Sequence, residues 1–160
     1  MAEGEGRNAV YLASLGHFVT AVDQSAQGLA KAQKLAAARS VSVNTINVDL
    51  AAITITPRSW SGVVATFAHL PPTLRRQVHR QFVAGLSLGR VCLVEAYTPA
   101  QLAFDTGGPK DPALLMTLAA LREELAGLEF LIGREIEREV IEGAGHSGRA
   151  AVVQVLARRG

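Results

Sequence analysis

The residues best placed for chemistry open the chain: Glu3-Gly4-Glu5-Gly6-Arg7-Asn8, read with the later Thr20-Ala21-Val22-Asp23. Gly4 and Gly6 carry no Cβ, so a ligand can lie against their backbone. Amides that open a following helix point at such a ligand. An acid at the end of the next strand, Asp23, can accept two hydrogen bonds from a ribose diol. A glycine turn joined to a strand-end acid is the phosphate-or-nucleoside turn of a doubly wound α/β sheet. A plain helix cap is the less favoured reading of Asp23.

Further polar residues fall where apolar runs end. Asp49 follows Asn47-Val48 and reads either as a second strand-end acid or as an ordinary polar turn. His69 follows the apolar run Val63 to Phe67. Its imidazole titrates near neutral pH, so it suits a base or a substrate-orienting group, and equally a hydrogen-bonded turn residue. Tyr97 follows Glu95-Ala96 at the end of another apolar run, and His146 and Arg149 lie in a glycine-rich turn near the C-terminus. His69, His146 and Glu95 are a conceivable metal set, because such ligands meet in space without a fixed spacing. No nucleotide-hydrolase phosphate loop, HExxH, paired cysteines or G-x-S-x-G elbow is present. His17 and His79 read as structural.

The elements that must hold these groups alternate helix and strand. Arg7 to Leu15 reads as a helix stopped by Gly16, Phe18 to Val22 as a strand, and Ala26 to about Arg39 as an alanine-rich helix capped from Asp23 and Ser25. Val41 to Val48 is the next strand, and Leu50 to Ser61 an irregular connection. Val63 to Phe67 is continuously apolar, as in a parallel strand covered on both faces. A helix opened by Pro71 and Pro72 carries Leu74, Val78, Phe82 and Leu86 and is expected to end at Gly89. Val91 to Ala96 is a buried strand, and a helix from Pro112 to Leu125 follows a long connection. Glu129 to Glu142 alternates charged and apolar residues as a strand with one wet face. Gly143 to Gly148 is a hairpin turn, and Ala150 to Ala157 the returning strand.

Composition bounds the function. The chain has 160 residues, 49% apolar, enough for one domain spanning 1–160 and its core. Sixteen basic against fourteen acidic side chains give no strong field for nucleic acid or a membrane surface. Cys92 is the single cysteine, in the apolar run Val91-Cys92-Leu93-Val94, where a buried, unreactive thiol under reducing conditions is expected. No run approaches the ~20 apolar residues of a membrane span, and the expected location is the cytoplasm.

The stretch from Ala2 to Ala13, with Gly16-His17-Phe18-Val19-Thr20-Ala21-Val22-Asp23-Gln24-Ser25, resembles small class I S-adenosylmethionine-dependent methyltransferases of the tellurite-resistance and thiopurine type, and the likeness runs to the C-terminus. It implies a Rossmann-like, mostly parallel doubly wound α/β sheet ending in an antiparallel hairpin, and methyl transfer to a small molecule. In that resemblance Gly4 and Gly6 approach the amino-acid part of S-adenosylmethionine, Asp23 with Gln24 the ribose, and Asp49 with Leu50 the adenine. Phe67 and His69 stand at the wall between cofactor and substrate, Tyr97 lines the same pocket, and His146 and Arg149 face the acceptor. Glu3 stands where the family usually has a small residue.

The resemblance also implies a leader and a first strand that precede the glycine turn, which here begins at Met1. Without that strand, Phe18 to Val22 and Val63 to Phe67 would present unpaired edges, which need a partner. Three outcomes are expected: direct pairing of these strands, a homodimer in which two chains complete each other, which is favoured, or a chain that is a fragment from a longer gene. The alternatives to methyl transfer are reuse of the truncated fold as a metal-dependent esterase or phosphoesterase, and a non-catalytic binding protein.

Overall fold

Helix α1 (Arg7–Ser14) begins where Gly6 takes a left-handed backbone at φ 87° and ends in a turn whose amides return to Tyr11, Leu12 and Ala13. In this computed structural model residues 1–104, 106–141 and 147–160 are described, and they divide into two compact units, Met1–Ile53 and Thr54–Gly160. In the first unit α1 is followed by β1 (Thr20–Asp23), α2 (Ala26–Ala38) and β2 (Asn44–Asn47). β1 and β2 run parallel, Thr20 opposite Asn44 and Asp23 opposite Asn47. Ser25 caps α2 by accepting the Gly28 amide at 3.0 Å. Gly28, Leu29, Ala32 and Ala36 form the buried face of α2. Leu29 and Ala36 pack with Ala9, Val10, Ala21 and Val43.

The second unit holds β3 (Trp60–Thr66), α3 (Pro72–Gly85), β4 (Leu86–Tyr97), α4 (Leu118–Glu124), β5 (Leu128–Ile141) and β6 (Ser147–Arg159), with short 3-10 turns at Pro99–Ala103 and Pro112–Leu114. Its sheet has the order β3-β4-β6-β5. β3 and β4 are parallel, whereas β6 runs antiparallel to both β4 and β5. The fold is therefore α/β with parallel ladders and a C-terminal antiparallel strand pair, as expected; of the turn expected over Gly143 to Gly148, residues 143–146, with His146, lie outside the described residues.

Several boundaries differ from expectation. β1 starts at Thr20, leaving Phe18 exposed, and β2 is confined to the four residues that β1 can pair. α3 ends at Gly85 rather than Gly89. The Arg159 guanidinium donates to the Val83, Ala84 and Leu86 carbonyls at 2.7–2.8 Å, and the amides of Arg58 and Ser59 take Ala84 and Gly85, so the terminal carbonyls are satisfied by tertiary partners. The expected helix from Pro112 to Leu125 is broken in two. Leu115 is extended at φ −82° and ψ 156°, the Met116 amide leaves the helix to donate to the Tyr97 carbonyl at 3.0 Å, and Thr117 then caps α4 through the Ala120 amide. β1 pairs with β2 and β3 pairs with β4, each ladder within its own unit.

Candidate functional site

In the first unit the turn before α1 is built by backbone rules. Ala2, Gly4 and Gly6 all have positive φ, at 51°, 61° and 87°. The two glycines do different work. A Cβ on Gly6 would overlap the Ala32 methyl and lie 2.7 Å from the Ala32 Cα, so Gly6 is what lets α2 approach the turn. A Cβ on Gly4 would meet no atom within 4 Å. That face of the turn is open. Gly28, not foreseen as a site residue, supports it from beneath, since a Cβ there would lie 2.8 Å from the Gly4 carbonyl oxygen.

Asp23 closes the turn. Its Oδ2 accepts the Gly4 amide and its Oδ1 the Ser25 amide, both at 2.8 Å. A carboxylate offers about four acceptor sites, so these two bonds do not by themselves exhaust it. The Asp23 carbonyl also takes the Val48 amide at 3.1 Å and the Asn47 side chain at 3.0 Å, fixing the ends of β1 and β2 together. Glu3 turns away to the helix, its Oε1 accepting the Ala9 amide at 2.7 Å in favourable alignment with the helix dipole. Gln24 is exposed beside Asp23. Asp49, also exposed, accepts the Ala51 amide at 2.9 Å in a local turn, and Leu50 next to it is buried.

In the second unit the ends of β3 and β4 carry an aromatic group. Phe67 has φ 53°, an outlier for a bulky residue that marks a strained position. Its ring lies 4.6 Å from that of Tyr97 between centroids, and His69 stacks on Tyr97 at 5.5 Å and 9°. Tyr97 is buried, and Gly108 at φ 87° is pressed on its ring, where a Cβ would come within 2.7 Å. His69 Nδ1 lies 3.0 Å from the Leu114 carbonyl, which can only accept, so Nδ1 carries the proton. Nε2 then accepts the Tyr97 amide at 3.4 Å. Burial pushes the His69 pKa below its ordinary value near 6.5, the Leu114 bond opposes this, and the Arg75 charge adds to the lowering. The ring is neutral and both nitrogens are engaged, the geometry of a hydrogen-bonded turn residue.

The remaining expected residues are placed elsewhere. Glu95 accepts Arg138 and Gln154 at 2.8 and 2.9 Å on the sheet. Arg149 is exposed and pairs with Glu137 at 2.6 Å on the neighbouring strand. Among the described residues no cluster of three or more His, Cys, Asp or Glu could hold a metal ion, and no helix is long and apolar enough to cross a membrane. Cys92 is buried and free, as expected.

Comparison with known proteins bears on the family and the fold. A family model described as a methyltransferase domain matches residues 1–89. No curated protein sequence is matched. Among solved structures, TehB from Haemophilus influenzae aligns with a TM-score of 0.80 at 22% identity, over 99% of this chain and 56% of its own. An S-adenosylmethionine-dependent methyltransferase from Methanosarcina mazei gives 0.76 at 18%, over 98% and 88%. The N-methyltransferase NodS from Bradyrhizobium japonicum gives 0.71 at 12%, over 99% and 82%. These likenesses show a shared fold, with this chain spanning little more than half the length of TehB.

Proposed function

The chain belongs to the methyltransferase domain family, and from that we propose methyl transfer to a small-molecule acceptor, of the tellurite-resistance or thiopurine type that residues Ala2 to Ser25 resemble. The family's cofactor is S-adenosylmethionine. The first unit fits it: the Gly4 face is open, and Asp23 is held by the Gly4 and Ser25 amides with acceptor capacity left for a diol. When bound, the cofactor supplies an electrophilic methyl group. Gly4 and Gly6 would hold its amino-acid end, Asp23 and Gln24 the ribose, and Asp49 and Leu50 the adenine.

His69 and Tyr97 are the proposed acceptor-side residues, with Phe67 proposed to contact the cofactor at the wall beside them. The support is their geometry: a strained Phe67, a stacked His69 and Tyr97, and an imidazole locked by backbone bonds. Because Nδ1 keeps its proton on the Leu114 carbonyl, His69 orients and does not abstract a proton. Catalysis on this reading is positioning of an acceptor that is already nucleophilic, worth several orders of magnitude when the geometry is right. Arg149, exposed near the start of β6, is proposed to meet the acceptor, and the same role is proposed for His146, which lies outside the described residues.

One observation carries the cofactor reading: the turn that leaves space over Gly4 while tying its amide to the strand-end Asp23. Calorimetry with S-adenosylhomocysteine tests it. Saturable heat at micromolar to millimolar ligand is expected, and no heat or thermal shift at millimolar ligand would refute it. Small thiol, amine and tellurite acceptors offered with isotopically labelled cofactor then sort the acceptor class.

A further inference from the structure

Helix α3 carries two polar residues, Arg75 and His79, on the buried face it shares with Val78 and Phe82. Both meet Glu124, on the buried side of α4. The Arg75 guanidinium forks onto Glu124, with Nη2 to Oε1 at 2.9 Å and Nε to both oxygens at 3.1 Å. His79 Nδ1 lies 2.7 Å from Oε2 and must donate, because a carboxylate accepts. A buried ion pair is weak support for stability, since its desolvation cost offsets most of its attraction. Geometry is what it supplies.

That geometry reaches one segment. Arg75 Nη1 contacts the Ala113 and Leu115 carbonyls, each at 3.5 Å. The Leu114 carbonyl between them takes His69, and the Met116 amide donates to the Tyr97 carbonyl at 3.0 Å. Successive backbone groups of Ala113 to Met116 are thus held alternately by Arg75 and by the His69 and Tyr97 pair. We propose that Arg75, locked by Glu124 and His79, is a positioning residue that sets the His69 and Tyr97 pair by fixing the backbone of Ala113 to Met116. This deepens the acceptor-side reading of that pair and rests on it.

The test needs no ligand. Histidine-labelled protein should show a slowly exchanging Nδ1-H resonance that His69→Gln removes. Arg75→Lys keeps the charge but loses the fork, and Glu124→Gln keeps the shape but loses the carboxylate. In either variant, shown folded by circular dichroism, exchange of that proton is expected to rise at least tenfold. A stability role alone would lower the melting temperature and leave the resonance of the folded protein unchanged, which would overturn the proposal. Failure of both variants to fold would also overturn it, by making the network a plain element of stability. The acceptor-side reading is judged separately: unchanged methyl transfer by His69→Gln would sink that reading while leaving the exchange result intact.

Discussion

Replacing Gly4 and Gly6 by alanine, one at a time, should separate ligand binding from folding, because the two glycines are glycine for different reasons. At Gly6 the added methyl collides with Ala32, including its Cα at 2.7 Å, and the backbone sits at φ 87°. A left-handed alanine costs about 1–2 kcal/mol, and overpacking a site whose obstacle is backbone about 1–3 kcal/mol. The expected loss is therefore on the order of 2–5 kcal/mol, a large share of the ~5–15 kcal/mol of a typical domain. At Gly4 the methyl meets nothing within 4 Å and φ is 61°. The same conformational cost of about 1–2 kcal/mol applies, with no overpacking added to it. Urea unfolding followed with and without S-adenosylhomocysteine measures both effects. Gly6→Ala should lower the midpoint sharply at unchanged slope. Gly4→Ala should lower the midpoint less than Gly6→Ala does, yet weaken ligand binding at least tenfold, about 1.4 kcal/mol, because its methyl occupies the open face of the turn. Wild-type affinity in Gly4→Ala would show that no ligand lies against that residue. A wild-type midpoint in Gly6→Ala would refute the close approach of α2 to the turn.

Asp23→Asn keeps the shape but turns an NH2 group toward either the Gly4 or the Ser25 amide, so one donor loses its acceptor at about 1–3 kcal/mol; unfolding should show this loss in the absence of ligand, and an unchanged midpoint would mean the carboxylate does not hold the turn. Stability should also fall with acid in two windows. His69 has a folded pKa below its unfolded value near 6.5, so its contribution is complete above that pH and is lost as pH falls through the folded value. Glu124 is raised by desolvation but lowered more by the bonds and charges of His79 and Arg75, so its contribution is complete above about 4.5 and is lost below that. Melting temperatures from pH 8 to 3 check this, and His69→Gln should flatten the first window alone. Burial pushes the Cys92 thiol up to about 12, so thiol reagents at pH 8 should label it only as fast as the protein opens; immediate labelling of native protein would place the thiol at the surface.

What was legible in the sequence is what obeys local rules. A cap and its amide are two or three residues apart, so Ser25 over Gly28 follows from residue type, as does the end of β1 at Asp23. Continuous apolar runs located β3 and β4, and alternation located β5. The misplaced boundaries share one physical cause, a partner far along the chain. α3 stops at Gly85 because Arg159, more than seventy residues on, takes its last carbonyls. The helix expected over Pro112 to Leu125 breaks because the Tyr97 carbonyl competes for the Met116 amide. Neither partner has a spacing that periodicity can detect.

The buried network was hidden differently, since its members stood in plain view under the wrong heading. His79 reads as structural in the sequence and Glu124 falls within the expected Pro112 to Leu125 helix, and both are buried. Yet Arg75, Val78, His79 and Phe82 follow the i, i+3, i+4, i+7 spacing of a single helix face, and Leu121, Glu124 and Leu125 do the same on α4. A charge in phase with an apolar stripe must be paired, because an isolated buried charge is too costly. Opposite charges in phase on two helices of one unit predict that those helices pack and that the charges meet. The sequence therefore held the Arg75 and Glu124 contact in its phase, while its purpose is visible only in the third dimension, where the fork continues into the carbonyls on either side of Leu114.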